Sequence, residues 1–303
     1  MKEFNTPILF IIFNSPDTAG TVFNEIKKVK PKQLFIFSDG ARENREDEAQ
    51  KCLETRKIVN KVDWECDLKT LFLDKNHGPR KAVSSAINWF FKNVENGIIL
   101  EHDCLPDPSF FWYCQELLEY YHDDKRIMHI SGTNYLNGKK IGDGSYYFSK
   151  IAHIWGFATW RRAWKYYDID IKNFPKFKEQ NQIENIFEGK FVQKHWLKIF
   201  KKMQAKSAQT WDHQWNYAIF SQNGLAINPN VNLITNIGFG ENAVHCIDTN
   251  SKFANMKRYD IDEIIHPSFT LPNKEADKYI LANNFQIGLL AKIKRELRRI
   301  YKR

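Results

Sequence analysis

The hydrophobic residues of this chain fall into short runs that alternate with amphipathic stretches. Five apolar runs have the length of β-strands: Ile8–Phe13, Leu34–Phe37, Thr70–Leu73, Ile98–Leu100 and Ile127–Ile130. Between most of them, apolar residues recur at the spacing of a helix with one buried face. Strands that alternate with helices predict an α/β fold, a Rossmann-type domain with a mostly parallel central sheet.

The predicted helices are marked by their apolar stripes and by proline near their first residue. The stripes run over Val22–Val29, Ala82–Val94 and Phe110–Leu118. Ser15-Pro16 precedes the first stripe and Asp107-Pro108 precedes the third, and a capping residue followed by proline is typical of a helix start. The charged stretch from 172 to 206 is also expected to be helical and to carry no chemistry.

Polar residues follow most of the predicted strands. They are Asn14, Ser38-Asp39-Gly40, Asp74 with Asn76-His77-Gly78, Glu101-His102-Asp103 and Ser131-Gly132-Thr133-Asn134. In a parallel sheet, ligands bind beyond the carboxyl ends of the strands. A single acid at such a position is more often a solvated strand end than a ligand. Several together indicate a site at this edge of the sheet.

The triplet Glu101-His102-Asp103 places two acids around a histidine directly after an apolar run. One interpretation is a strand that reaches the surface and turns. The other is a metal site, because hard divalent cations prefer carboxylate oxygens and take further ligands from water or a diphosphate. Neither GxGxxG nor GxxxxGK[ST] is present, so a bound phosphate would need a cation.

Composition and length predict a packed globular protein. The chain has 303 residues, 43% of them hydrophobic and 15% aromatic, which allows a sizeable core and disfavours disorder. The apolar run nearest the N-terminus, Ile8–Phe13, has six residues. It is too short for a membrane span or a signal-peptide core. The five cysteines show no metal-ligand spacing. We therefore expect a cytoplasmic protein with reduced cysteines.

The net charge of +9 is concentrated at the C-terminal end. Residues 292–303 hold seven Lys or Arg and one Glu, and so carry six of the nine net charges. A localised charge disfavours RNA or DNA as a partner. Leu289, Ile293, Leu297 and Ile300 form an apolar stripe among these charges. The pattern predicts a basic amphipathic helix over 289–303 that contacts an anionic membrane surface; a solvated helix that packs on the domain is the alternative.

Tryptophan is concentrated in the second half of the chain. Six of the nine tryptophans lie between Trp155 and Trp215, mainly in HIWGFATWRRAW (153–164) and TWDHQW (210–215). Such rings suit the flat faces of sugars, and an aromatic core is the alternative. Asp212, an acid within the second cluster, is a candidate general base; an N-cap or an ion-pair role is the alternative. The loop 237–245, with two glycines, could close on a ligand and bring His245 with it.

These motifs together resemble bacterial GT-A-fold nucleotide-diphospho-sugar glycosyltransferases, which are distant relatives of the N-acetylglucosaminyltransferase I family. The resemblance covers about residues 6–250. It rests on ordered motifs: TPILFIIFNSP, FIFSDGAR, DKNHGPRKAVSSAINWFF, GIILEHDCLPDPSFF, HIWGFATWRRAW and TWDHQW. It implies a GT-A-like domain over 1–250, with a nucleotide-sugar half (1–135), an acceptor half (136–250) and a C-terminal extension (251–303).

The resemblance also implies roles for single residues. Asp103 would hold Mn²⁺ or Mg²⁺, and Asp212 lies in the region of the catalytic base. The residues assigned to nucleotide-sugar binding are Asn14, Asp39, Arg80, Glu101, His102, Asn134, Trp155, Gly156 and His245. Asn14 and Ser15 stand where relatives often carry an arginine near the phosphates, and Arg80 is the proposed substitute. His102 replaces the usual middle acid of the metal motif.

The expected function is metal-dependent, inverting transfer of a hexosyl or N-acetylhexosaminyl group. The donor would be a nucleotide-diphospho-sugar. The acceptor would be a saccharide or a lipid-linked saccharide in surface polysaccharide or lipopolysaccharide synthesis. The alternatives are a sugar nucleotidyltransferase, which would normally show a glycine-rich basic loop after the first strand, and a non-catalytic carbohydrate-binding protein.

Overall fold

The computed structural model describes residues 3–43, 45–239, 251–285 and 287. Its strands are β1 (Ile8–Ile12), β2 (Gln33–Ser38), β3 (Asp67–Phe72), β4 (Asn96–Glu101), β5 (Cys104–Pro106), β6 (Ile127–Ser131), β7 (Tyr146–Ser149), β8 (Phe157–Trp160), β9 (Leu225–Pro229) and β10 (Ile234–Asn236). Its α-helices are α1 (Pro16–Val29), α2 (Glu46–Arg56), α3 (Gly78–Asn93), α4 (Pro108–Tyr120), α5 (Arg161–Trp164), α6 (Phe174–Glu179), α7 (Lys190–Gln204), α8 (Asp212–Ser221) and α9 (Lys274–Asn283).

Eight of the described strands form one sheet in the order β3-β2-β1-β4-β8-β6-β9-β7. The pairs β3–β2, β2–β1, β1–β4 and β6–β9 are parallel. β8 runs antiparallel to both of its neighbours, and β7 runs antiparallel to β9. Six of the eight strands therefore share one direction, which confirms the predicted α/β class with a mostly parallel sheet.

The two faces of the sheet are covered by different helices. In β1, Ile8 and Phe10 face the cluster that holds the buried stripes of α1 and α4, whereas Leu9 and Ile11 face the cluster that holds those of α3 and α8. Because successive side chains of a strand point to opposite faces, a strand buried on both sides must be apolar throughout. This explains the continuous hydrophobic runs in the sequence.

The predicted elements of the first half are confirmed. All five predicted strands exist, and α1, α3 and α4 cover the three predicted apolar stripes. α4 begins as expected, because the Asp107 carboxylate accepts a hydrogen bond from the N–H of Ser109 (2.9 Å) and Pro108 occupies the first turn. The charged stretch from 172 to 206 contains α6, α7 and the 3₁₀ segment Gln182–Asn185.

The segment 251–285 packs along the edge of the sheet. The N–H of Tyr259 donates to the carbonyl of Asn232 (2.8 Å), and the N–H of Asn273 donates to Phe148 in β7 (2.8 Å). The buried Asp277 of α9 accepts hydrogen bonds from the Ser149 hydroxyl (2.5 Å) and the N–H of Lys150 (3.0 Å).

Within the described part of the chain, no helix has the length and apolar character needed to cross a bilayer. The predicted basic helix over 289–303 lies outside the described residues.

Candidate active site

Asp39 ties together the loops that follow β2 and β3. Its carboxylate accepts hydrogen bonds from the N–H groups of Gly40 (2.9 Å), His77 (2.9 Å) and Gly78 (3.0 Å). The Asn76 side-chain amide adds a fourth (3.1 Å). Burial raises the pKa of Asp39, and the backbone hydrogen bonds oppose that shift. Asp39 therefore organises one edge of the site, and its role in nucleotide-sugar binding stays a prediction.

The loop after β2, the loop after β3 and the loop before α8 lie next to one another at this edge. A Cβ at Gly40 would lie 2.5 Å from the carbonyl carbon of Lys75, so only glycine fits there. Gly78 has φ +73°, a conformation that glycine adopts without strain. A Cβ at Gly78 would lie 3.9 Å from Oε1 of Gln209. The loop after β3 thus reaches the loop that leads into α8.

The acidic triplet forms a turn between β4 and β5, and a second strand holds this turn in place. β5 pairs antiparallel with β10, with Asn236 opposite Cys104. The side-chain amide of Asn236 donates to Oδ2 of Asp103 (3.3 Å), and the N–H of Ile237 donates to the Asp103 carbonyl (2.8 Å). The two-stranded ribbon therefore fixes both the backbone and the carboxylate of Asp103.

Three carboxylates gather where β4 ends: those of Glu101, Asp103 and Asp212. Burial raises the pKa of Glu101 above its usual range, and the negative charges of Asp103 and then Asp212 raise it further. A hydrogen bond from the Trp211 side chain opposes this shift. The charged neighbours with the strongest effect on Glu101 are thus both acids, which makes this a place where a bound cation would relieve repulsion.

The chemistry of these donors fits a hard divalent cation. Within the described ranges, no three His, Cys, Asp or Glu side chains form a group that could hold a metal by themselves. Mg²⁺ commonly binds through one or two carboxylates and completes its shell with water and phosphate oxygens. Asp103, with Glu101 beside it, offers such a partial ligand set. Metal binding at Asp103 stays a prediction.

Asp212 is the first residue of α8 and follows the buried Trp211. Its carboxylate accepts a hydrogen bond from the Thr210 hydroxyl. Nδ1 of His213 is 4.0 Å from Oδ2 of Asp212. The helix N-terminus favours a negative charge at this position. The Asp212 side chain is 23% exposed, so a ligand at the edge of the sheet can reach it.

Arg42 is a candidate site residue that the sequence interpretation missed. The Asn14 amide donates to Oε1 of Glu48 (2.8 Å), and the Arg42 Nε donates to the same carboxylate (2.9 Å to Oε2). The Arg42 guanidinium also lies 5.7 Å from the centre of the Phe13 ring. Glu48 thereby brings an arginine to the end of β1, where the segment that follows the strand, residues 13–15, contains no arginine of its own. The only signal was the position of Arg42 in the motif FIFSDGAR.

Arg80 was expected to reach the phosphates, and the structure places it in an internal contact. Its guanidinium is buried and donates to the carbonyl of Ile169 (2.8 Å) and to Oδ1 of Asp170 (3.0 Å). Lys206 also pairs with Asp170 (3.3 Å). Arg80 thus links α3 to the segment after α5, and its contact with a donor phosphate stays a prediction.

Asn134 and Gly156 have structural roles near the same edge. The Asn134 amide donates to the carbonyl of Pro229 (2.6 Å) and accepts from the N–H of Leu136 (2.8 Å). Gly156 has φ +61°, and a Cβ there would lie 2.6 Å from Cδ1 of Ile234. This close contact packs the start of β8 against the ribbon. The binding roles of Asn134 and Gly156 stay predictions.

Of the three remaining residues predicted to bind the nucleotide-sugar, the structure describes Trp155 and His102. Trp155 is partly buried, and its ring lies edge-on to Phe239 at 5.9 Å between centroids. His102 is partly exposed in the acidic turn. His245 lies outside the described residues. Trp155 and Phe239 therefore place aromatic surface close to the loop that contacts Asp103.

The expectation that the tryptophans between Trp155 and Trp215 face sugars is wrong for five of the six rings. Trp160, Trp164, Trp196, Trp211 and Trp215 are at most 5% exposed. Several have hydrogen-bond partners for the indole N–H inside the core: Trp160 with the Leu118 carbonyl, Trp164 with Asn88 and Trp215 with His129. Four of these rings fill the layers between sheet and helices, and Trp196 packs with Phe187, Phe200 and Phe220 among the helices. An aromatic core is the alternative left open by the sequence.

Comparison with known proteins places the chain in no family. No protein-family model matches it, and no curated protein does. Among solved structures, 4-diphosphocytidyl-2C-methyl-D-erythritol synthase from Anaerococcus prevotii matches 73% of this chain and 87% of its own, with 8% identity and a TM-score of 0.36. UDP-glucose pyrophosphorylase complexed with UDP-glucose matches 53% and 78%, with 10% identity and a TM-score of 0.31. Both scores are too low to assign a family.

Proposed function

We propose that this chain is a metal-dependent, inverting glycosyltransferase that uses a nucleotide-diphospho-sugar donor. The observation that carries the proposal is the gathering of Glu101, Asp103 and Asp212 at the carboxyl edge of the sheet. Asp103 and Glu101 are the residues that would hold Mn²⁺ or Mg²⁺, which when bound neutralises the charge of a diphosphate leaving group. Asp212 belongs to a different element, α8, and is free to act on the acceptor.

The environment of Asp212 suits a general base. The Thr210 hydroxyl orients its carboxylate, and the Asp212 side chain is 23% exposed, so an acceptor hydroxyl can reach it. In this proposal, Asp212 accepts the proton of the acceptor hydroxyl as that oxygen attacks the sugar. A single base suffices for direct displacement with inversion, whereas a glycoside hydrolase needs two carboxyl groups that flank the bond. Inversion itself rests on the family resemblance.

A sugar nucleotidyltransferase is the alternative that shares this chemistry most closely. Such an enzyme must bind a triphosphate, for which we expect a glycine-rich basic loop after the first strand. In this structure residues 13–15 connect β1 directly to α1, and Asn14 is held by the acid Glu48. This connection is short and contains neither a glycine nor a lysine or arginine. It therefore favours the glycosyltransferase over the nucleotidyltransferase.

A donor assay tests the proposal. The chain is incubated with UDP-, GDP- and dTDP-linked hexoses and N-acetylhexosamines, with Mn²⁺, with Mg²⁺ or with EDTA, and released nucleoside diphosphate is measured. The proposal predicts metal-dependent release from at least one donor. Pyrophosphate release from a nucleoside triphosphate and a sugar 1-phosphate would instead indicate the nucleotidyltransferase. Sugar binding with neither activity would indicate a non-catalytic protein.

Gly238 is expected to be needed for donor binding, because it lies against the proposed metal ligand. A Cβ at this position would lie 2.4 Å from Oδ2 of Asp103, so Gly238→Ala must displace that carboxylate. We expect donor affinity in Mn²⁺ to fall by about tenfold or more, at the lower end of the effect of disturbing a metal ligand's support. Titration calorimetry measures it.

The matched control for this prediction is Gly20→Ala in α1. The nearest atom to a Cβ there is the flexible end of Lys61, at 3.8 Å. This variant should bind the donor as the unmodified chain does. Unchanged affinity in Gly238→Ala would show that the position of the Asp103 carboxylate does not matter to the donor.

We further propose that the acceptor is a lipid-linked saccharide and that residues 289–303 hold the enzyme reversibly at an anionic membrane. Each Lys or Arg near such a surface contributes about 1 kcal/mol, and the tail carries seven. The full chain should co-sediment with phosphatidylserine-containing vesicles and be released by high salt. A chain without 289–303 should stay in the supernatant.

Two controls identify what the tail contributes. Vesicles of phosphatidylcholine alone test the need for negative lipid. The double variant Ile293→Ser/Leu297→Ser keeps every charge of the tail and removes half of its apolar stripe. It should bind the vesicles more weakly if burial of apolar residues contributes to binding together with charge attraction. Equal sedimentation of the full and truncated chains would exclude the tail as an anchor and favour its packing on the domain.

A further inference from the structure

A cleft of about 580 Å³ lies away from the carboxylates, between α6, the 3₁₀ segment Gln182–Asn185 and the end of α8. Six of its eleven lining residues carry side-chain amides: Asn173, Gln180, Gln182, Asn185, Gln222 and Asn223. Lys176 is the one lining residue with a charge. A cleft of this size accommodates a ligand of several rings.

The amides of the cleft are linked to each other and to the core. The Gln182 amide donates to Gln180 (3.4 Å), and the Asn185 amide donates to Gln182 (3.0 Å). Oδ1 of Asn173 accepts from the Tyr217 hydroxyl (2.8 Å). An amide offers two N–H groups and two lone pairs, so each of these bonds leaves capacity for a ligand. The links also order the side chains before a ligand arrives, which reduces the entropic cost of binding.

The apolar part of the lining is formed by Phe177, Ile186 and Phe220. The cleft therefore combines an apolar wall with groups that both donate and accept hydrogen bonds. A sugar ring has the same two aspects, since its C–H faces are apolar and each hydroxyl both donates and accepts. A phosphate or a carboxylate would call for several cations, and the lining supplies one.

The cleft and the proposed base lie at opposite ends of the same helix. α8 begins at Asp212 and ends at Ser221, a lining residue. With a rise of 1.5 Å per residue, the two ends are about 14 Å apart. The cleft is therefore separate from the carboxylate cluster, and a ligand in it needs neither Asp212 nor a metal.

We propose that this cleft binds a neutral oligosaccharide at a second site, distinct from the site of sugar transfer. The proposal goes beyond the proposed function, because the binding involves none of the residues assigned to catalysis.

Titration calorimetry with maltohexaose, cellohexaose, chitohexaose and mannohexaose tests this site on the full chain without metal. At least one hexasaccharide should bind. The double variant Gln182→Ala/Asn185→Ala removes two amides and should weaken that binding by about tenfold or more. Gln180→Ala/Gln222→Ala removes two other amides of the lining, should weaken the binding as well, and serves if the first double variant fails to fold.

The matched control is Gln50→Ala/Asn93→Ala, which removes two exposed amides from α2 and α3 outside the cleft. It should leave binding unchanged. Release of nucleoside diphosphate, where the donor assay detects it, should be the same in all variants. The absence of binding by all four hexasaccharides, or unchanged binding in both cleft variants, overturns the proposal. Neither result bears on the donor assay, so the two proposals fail separately.

Discussion

Replacing Asp212 by asparagine should reduce turnover by about two to four orders of magnitude, the usual effect of losing a general base. The substitution keeps the size of the side chain, and the asparagine oxygen can still accept the hydrogen bond from Thr210. The fold should therefore survive. Donor affinity in Mn²⁺ should change little, because the proposed base contacts the acceptor. Initial rates at saturating donor, together with donor titrations, separate these two effects.

The matched control is Glu275→Gln, which removes the charge of another acid in the first turn of a helix. The Glu275 side chain in α9 is 80% exposed and pairs only at the surface with Lys278, so turnover should stay the same. His213→Asn is the competing test, since that ring lies 4.0 Å from Asp212. Near-normal turnover in Asp212→Asn with a large loss in His213→Asn would assign the base to the histidine.

The first half of the fold could be predicted because its local signals agree with its packing. β1, β2 and β4 are buried on both faces, so their sequences are continuous apolar runs. α1 and α4 start at a proline that follows a polar residue. These strands are also neighbours in the sheet. Hydrophobic pattern, helix starts and topology therefore indicate the same structure.

The second half could not be predicted in the same way, because its strands are short and irregular. β7 and β8 have four residues each, and β9 ends in proline. β8 lies within the tryptophan-rich motif that was interpreted as a sugar-binding surface. Its aromatic residues are there because the strand is central, between β4 and β6. A run of four residues has too little periodicity to distinguish a core strand from a binding loop.

The acids of the site could be predicted, and their partners could not. Asp39 and Glu101 stand at strand ends, and parallel topology alone brings such ends to one edge. Asn236, which holds Asp103, is 133 residues away in sequence. Arg42 is held at the end of β1 by the carboxylate of Glu48, which also binds Asn14. Contacts of this kind depend on the packing of separate elements, and no spacing in the sequence marks them.

Replacing Asp103 by asparagine should abolish the effect of metal on donor binding. Asparagine has nearly the same shape and can keep a hydrogen bond with Asn236, so the ribbon of β5 and β10 should remain folded. It removes the negative charge that a divalent cation requires. We expect donor affinity in Mn²⁺ to fall by about 100-fold or more, beyond the range typical of residues that only support a metal ligand. Titration calorimetry in Mn²⁺ and in EDTA measures both conditions.

Asp67→Asn is the matched control for this variant. Asp67 is the first residue of β3, at the edge of the sheet opposite the site, and its side chain is 51% exposed. This variant should bind the donor in Mn²⁺ as the unmodified chain does and should lose affinity in EDTA. Asp103→Asn should show one low affinity in both conditions, because the metal then has no anchor beside Glu101. If both variants and the unmodified chain bind equally well, with or without EDTA, the acidic turn is a solvated strand end and the donor is held without a metal.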